Sequence, residues 1–370
     1  MTTWAEIESA SIAEVLAWAV DQPWARAMAA CGQDVHWHAE GDVWTHTRLV
    51  VGELQRLPEW ADFNCTAQRT LLWAALFHDA GKPATTVVDP ETGRTRSPKH
   101  AVIGSEMARN VLRELGCGLA QREAIANLVR HHGRPPFLLE KPDPVREVIE
   151  LSWLTDTRLL HAFALTDHRG RHSTEGARSE DDLHLGRVVA EENGCFGRPY
   201  PFANDHARFL FGRGALSSLC YTPREEYRCT VTLMAGLPGA GKDTWLARHR
   251  PALPVVSLDG LRAELGVGPT DDQGRVIQLA RERCREHLRA SRDFAFNATN
   301  TIRQTRQRWI DLFAQYAARV EVRYVEPPWP VVLRQNAARA EPVPRHVIER
   351  LAERLEPPTA LEGHGDVMVG

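Results

Sequence analysis

The chain has 370 residues, more than one hydrophobic core usually serves, so two domains are expected. An apolar content of 43% and a charged content of 25% exclude a disordered chain, and apolar runs as short as residues 71–77 exclude a membrane span. The net charge of −3 excludes a polybasic chain, and seven cysteines without a CxxC pair read as reduced, mostly buried thiols, not as a disulfide frame or a zinc ribbon. Residues 1–8 carry no basic stretch, so a soluble cytoplasmic protein with no membrane contact is expected.

In chain order, the first part reads as helical. Apolar residues recur at helical spacing over 7–20, 66–77, 101–115 and 121–129, and turn-rich stretches interrupt them at 89–98 and 134–144. Twelve of the sixteen histidines lie between His36 and His206. The character changes near residue 225, after a linker-like stretch at 216–228. Strand candidates at 230–235, 254–258, 294–296 and 320–325 then alternate with helical patterns at 273–290, 303–318 and 329–338. This alternation predicts a parallel sheet with covering helices, and the tail after Pro357 is expected to be loose. Residues 1–225 hold 24 basic and 30 acidic side chains, whereas residues 226–370 hold 21 and 18. Phosphate-gripping patches therefore remain open to the mildly basic second part.

Arginine outnumbers lysine 41 to 4, yet Lys82 and Lys242 fall inside the two strongest motifs. A compact ammonium has uses that a planar guanidinium does not replace. The first motif is Phe77-His78-Asp79-Ala80-Gly81-Lys82-Pro83, at the end of a helical segment. His46 precedes it, and His100, the pair His131-His132 and Asp167 follow in that order. A single histidine on a helix is ordinarily a core or surface residue; the ordered set is far more specific. Imidazole and carboxylate ligands suit Mn, Fe, Co, Ni or Zn, and a bridging carboxylate such as Asp79 holds two ions close together. Either His131 or His132 fits the ligand series, and one or two ions are compatible with it. Lys82, Arg169 and Arg171 are candidates for contact with a substrate phosphate, against ordinary surface charge.

The second motif, Gly236-Leu-Pro-Gly239-Ala240-Gly241-Lys242-Asp243-Thr244, lies between a predicted strand and a predicted helix. Backbone amides released by glycines close around phosphate oxygens, Lys242 neutralises their charge, and a helix N-terminus stands behind. The nucleotide expected here is ATP or another NTP with Mg²⁺. Asp243 replaces the usual Ser or Thr, and either holds an Mg²⁺-bound water or weakens metal binding. Asp259, at the end of the predicted strand 254–258, is placed to take a proton from an attacking hydroxyl, and Arg262 to hold an acceptor phosphate. The bland alternative is a helix cap with a surface arginine. Arg334, Asn336 and Arg339 form a candidate lid over the donor phosphates, and Asn297, Thr299 and Asn300 follow the third strand.

These motifs carry two resemblances. The order H…HD…H…H…D resembles the HD phosphohydrolase superfamily, a helical metal-dependent fold. The resemblance implies that His46, His78, Asp79 and Asp167 hold one ion and that Asp79, His100 and His132 hold a second, with His132 preferred to His131. The phosphate loop, the strand-end DxxR and the late arginine lid resemble the polynucleotide kinase branch of P-loop phosphotransferases. That resemblance implies Asp259 as general base, Arg262 on the acceptor phosphate and Arg339 on the donor.

Together, with 201–208 near the junction, they resemble the bacterial HD-Pnk end-healing enzymes over nearly the whole chain. An α-helical HD-superfamily domain at 1–225 followed by an α/β P-loop kinase domain with a parallel sheet at 226–370 is implied. So are 5′-OH phosphorylation, removal of 2′ or 3′ phosphate or opening of a 2′,3′-cyclic phosphate, RNA or DNA ends as substrates, and a separate polynucleotide ligase as partner. A nucleotidase fused to a nucleoside kinase, or a regulatory nucleotide-binding module without turnover, are the alternatives.

Overall fold

The computed structural model describes residues 1–173 and 179–369. Two compact units emerge, Met1–Pro201 and Phe202–Gly370.

The division falls ahead of the boundary expected at 225/226. Residues 202–225 belong with the second unit. The helix Asp205–Gly212 is capped by Asn204, whose side chain accepts from Ala207 N–H at 2.8 Å and donates to Pro223 O at 2.8 Å. Arg208 donates to Gly365 O at 3.2 Å, and Arg213 meets Asp311 at 2.7 Å. These partners lie about a hundred or more residues further along, so the local change of pattern near 225 carries no sign of them.

The first unit is helical. Its centre is the helix Cys65–Phe77, in which residues 71–77 are all buried. Trp73 packs against Trp4 and Trp18 with ring centroids 5.4 and 5.8 Å apart. The apolar run that was too short for a membrane is thus the core of this unit. The single helical pattern expected over 7–20 is two helices, Trp4–Ser9 and Ile12–Ala19. Thr3 with Glu6, and Ser11 with Glu14, form reciprocal capping boxes, and the second box restarts the helix after Ala10. The turn-rich stretch at 89–98 is the arm of a small hairpin pairing Val87–Val88 with Thr95–Arg96.

The second unit is built on a parallel sheet in the spatial order Val255–Ser257, Phe294–Asn297, Cys229–Ala235, Ala318–Val325, Met368–Val369. The first-formed strand by sequence, Cys229–Ala235, is central, and its carboxyl end opens onto the glycine-rich loop, the usual place for ligands in such sheets. The tail is not loose. Arg306 is fully buried and forms a bidentate pair with Glu362, at 2.7 and 3.0 Å. Its remaining donor group serves Asn300 O at 2.9 Å and Glu356 O at 2.7 Å. Met368–Val369 then extends the sheet beside Tyr324 and Val325. Composition gave no hint of this, because the partner of Glu362 lies 56 residues back. Among the described residues no helix is long and apolar enough to cross a membrane, and all seven cysteines are free thiols, with Cys65 and Cys220 exposed.

Candidate metal centre and nucleotide site

The helix Val43–Arg56 starts at Asp42, whose carboxylate accepts from Thr45 N–H and Oγ1, both at 2.8 Å. This cap fixes the first turn, which carries His46 into the interior. His78 ends the helix Cys65–Phe77, and the chain turns through Asp79 to Gly81. A Cβ on Gly81 would lie 2.2 Å from His100 O, so glycine alone allows this turn to touch the start of the helix His100–Glu114. His132 closes the helix Leu119–His131, and Asp167 lies in the last turns of the helix Thr157–Arg169.

Six sequence-predicted residues meet here in two groups, His46, His78 and Asp167, and Asp79, His100 and His132, each group with its ligand atoms within 4.8 Å of one another. His46 Nε2 is 3.0 Å and His78 Nε2 3.8 Å from Asp167 Oδ1. Asp79 lies between the groups. Its Oδ2 is 3.2 Å from His78 Nε2, and its Oδ1 is 3.5 Å from His100 Nε2, which in turn is 3.4 Å from His132 Nε2.

The outer nitrogens explain the orientation. Three imidazoles engage a main-chain carbonyl three residues earlier: His78 Nδ1 with Ala75 O at 2.8 Å, His100 Nδ1 with Ser97 O at 2.7 Å, and His132 Nδ1 with Val129 O at 2.8 Å. His46 Nδ1 lies 2.8 Å from Glu40 Oε1. The three carbonyl contacts draw the proton to Nδ1 and turn an Nε2 lone pair inward. The buried His78 Nε2 has no hydrogen-bond partner among the described residues, as a nitrogen reserved for an ion would. The imidazole and carboxylate donors fit a divalent transition metal.

Burial opposes the charge of Asp79, but His78 and Lys82 beside it hold its carboxyl well below the usual range. Burial acts likewise on Asp167, and Arg171 and His46 outweigh it. Burial also works against a charged His46, yet its bonds to Asp167 and Glu40 pull it up to about 9. His132, buried beside His78 and His100, is pushed down to about 3. Two buried carboxylates thus draw cationic partners around them.

Lys82 Nζ is 2.7 Å from Asp79 and Arg171 is 3.2 Å from Asp167. Both side chains line a cavity of about 600 Å³ that also receives Asp79, His100, His132 and Asp167. Arg169 does not join them; it forms a two-point pair with Glu180 at 2.8 Å. His131 lies beside Arg134, at 3.4 Å, outside both ligand groups. Sequence reasoning missed Glu40 and His38. Glu40 binds His38 Nδ1 at 2.8 Å as well as His46, and accepts from His172 N–H at 3.0 Å. The available signal was the spacing His38-Ala-Glu40 ahead of His46, in a stretch with no helical pattern.

In the second unit, residues 236–241 link the central strand to the helix Lys242–His249. Gly236 holds φ +145°, and a Cβ there would meet Val325 O at 2.4 Å. Its N–H donates to Thr299 O at 2.8 Å, and Asn300 Nδ2 donates to Met234 O at 2.7 Å. Asn297 donates to Asp243 Oδ1 at 2.6 Å. These three residues brace the loop from the neighbouring strand. Lys242 is buried and donates to Gly236 O and Leu237 O at 2.9 and 3.0 Å. Burial brings it down to about 8, against the pull of Asp243 and Asp259.

Gly239, Ala240 and Gly241 complete the loop, and Asp243 and Thr244 stand exposed in the first helical turn. Asp259 is not at a strand end: Ser257 ends the strand and caps the helix Leu258–Leu265, and Asp259 is in its first turn. There it pairs with Arg262, and Arg339 approaches its other oxygen at 3.7 Å. Arg334 is exposed on the helix Trp329–Ala337. Asn336 is no lid residue; it is buried and bonded through both side-chain ends to the Val343 backbone.

Comparison with known proteins finds one family match within each unit. Residues 43–152 match the HD domain family, and residues 231–358 match an AAA domain family. The chain is an HD domain joined to a P-loop, kinase-like domain with a parallel sheet. It is 33% identical over 147 residues to a CC-adding tRNA nucleotidyltransferase of Thermus thermophilus, covering 37% of this chain and 32% of that protein. It is 39% identical over 66 residues to an A-adding tRNA nucleotidyltransferase of Deinococcus radiodurans, covering 18% and 15%. The chain therefore spans a third or less of the length of these curated relatives. The HD match spans five of the six imidazole and carboxylate donors, and the AAA match spans the glycine-rich loop.

Proposed function

We propose that the chain heals nucleic-acid ends, phosphorylating a 5′-OH from ATP and removing 2′, 3′ or 2′,3′-cyclic phosphate, so that a separate ligase seals the product. One observation carries the reading. A single chain combines an Asp79-bridged imidazole centre with a phosphate loop beside which Asp259, Arg262 and Arg339 gather. The tRNA substrates named for two relatives favour RNA over DNA.

In the first unit, His46, His78, Asp79 and Asp167 would hold one divalent transition ion and Asp79, His100 and His132 a second. When bound, such ions supply Lewis acidity and an activated water. Lys82 and Arg171 hold the substrate phosphate from the cavity wall.

In the second unit, the loop amides of Gly239 and Gly241 cradle the donor phosphates, and Lys242 leaves the carbonyls of Gly236 and Leu237 for them. Asp259 takes the proton of the attacking 5′-OH, Arg262 holds the acceptor phosphate, and Arg339, with Arg334, neutralises the donor. Asp243, steadied by Asn297, serves the hydration shell of the accompanying Mg²⁺.

The test is incubation with ATP and a 5′-OH, 3′-phosphate RNA oligonucleotide, with both ends analysed. A 5′-phosphate and a 3′-OH are expected, the second only with a transition metal. Undiminished phosphate release in excess chelator would remove the metal centre from the reading. Phosphate transfer to mononucleosides but never to oligonucleotides would favour the nucleotidase and nucleoside-kinase alternative.

A further inference from the structure

The cavity of the first unit has a mouth that the chemistry described so far does not use. Its floor is polar and ionic, with Asp79, Asp167, Lys82 and Arg171. Its rim carries two large aromatic rings, Trp37 and Phe137, which line the same cavity while remaining 41% and 42% exposed.

Both rings are held on short, braced turns. The Trp37 N–H donates to Asp34 O at 3.1 Å, and the Asp34 carboxylate accepts from Thr95 N–H of the small hairpin at 3.1 Å. Arg94 sits over the Trp37 ring at 5.9 Å, which firms one face. The next residue, His38, runs into the Glu40–His46 contact, so the Trp37 turn is anchored to the metal centre itself. Phe137 ends the turn Pro135–Phe137, five residues beyond His132.

We propose that Trp37 and Phe137 are a base-stacking subsite for the terminal nucleotide whose phosphate enters the metal centre. This deepens the functional reading above and rests on it. One cavity brings both chemistries together: Asp79, Lys82 and Arg171 suit a phosphoryl group, and the rings of Trp37 and Phe137 offer a flat aromatic surface. Every nucleobase offers such a surface, so the subsite recognises a base without reading its identity. Arg96 lines the same cavity and adds a positive charge for a neighbouring phosphate of the strand.

The test compares two oligonucleotides that each end in a 3′-phosphate, one with a base on the terminal nucleotide and one abasic there, using the full chain loaded with Mn²⁺. Trp37→Ala and Phe137→Ala should each raise KM about tenfold on the strand with the base, leave kcat near wild type, and change KM on the abasic strand little. Trp37→Phe should restore most of the affinity. A second readout needs no turnover: a 3′-nucleoside monophosphate added to the chelated protein should quench tryptophan fluorescence in wild type, and that part of the quench should vanish in Trp37→Phe. Equal KM changes on both strands, or no change on either, would overturn the subsite. No phosphate release by wild type from either strand would instead sink the functional reading, and the subsite with it.

Discussion

The two phosphate-handling regions are assembled in opposite ways. The imidazole centre is gathered from distant chain segments: His46 and Asp167 are 121 residues apart and meet at 3.0 Å. The phosphate loop is local, a strand, a turn and a helix within residues 229–249, with hydrogen-bonded braces from Asn297 of the adjacent strand and from Asn300 just after it. The first region stores charge that its neighbours must offset, with two buried carboxylates among His46, Lys82 and Arg171. The second waits with its lysine resting on its own loop carbonyls. A centre built from long-range contacts should fail as a unit when one member is lost, whereas a local loop should fail alone.

The largest expected effect tests that separation. Asp79→Ala or His78→Ala should lower phosphate release about a thousandfold or more and leave 5′ phosphorylation intact. Lys242→Ala or Asp259→Ala should do the reverse. End-labelled oligonucleotide assays read both, and loss of both activities from either change would break the comparison. Next in size, Glu362→Ala leaves the buried Arg306 guanidinium uncompensated and should cost the second unit about 3–5 kcal/mol, read by denaturant unfolding.

Smaller is Glu40→Gln, which removes the carboxylate behind His46 and should weaken metal affinity about tenfold to a hundredfold by competition with a chelator. The smallest is a pH effect. The Lys242 value of about 8 lies below its ordinary 10.5, so its ammonium is lost as pH rises through 8. The KM for ATP should therefore climb above that pH. Linkage gives the matching sign for stability: the folded unit binds fewer protons than the unfolded chain between 8 and 10.5, so the cost of burying this charge is full below 8 and fades as pH rises. A KM for ATP that stays flat from pH 7 to 9.5 would remove Lys242 from this account.

The sequence showed most of this where chemistry demands a fixed residue type at a fixed spacing. The six imidazole and carboxylate positions and the glycine-rich loop were legible for that reason, as was the alternation that makes a parallel sheet. What escaped were partners chosen by the fold. Glu40 lies in a turn with no periodicity, and only the folded chain sets it against His46. Glu362 sits in a stretch whose polar composition reads as a loose tail until Arg306 is found beneath it. The restart at Ser11 was hidden because apolar spacing ran through it, although Ser11 and Glu14 together spell a cap.

The outer contacts of the four histidines differ in what mutation is able to erase. At Ala75, Ser97 and Val129 the acceptor is the peptide carbonyl, which every amino acid carries. A substitution there leaves the accepting atom in place, although buried Ala75 and Val129 still answer to packing. His46 alone leans on a side chain, so among these four aiming contacts, genetic fragility is concentrated at codon 40.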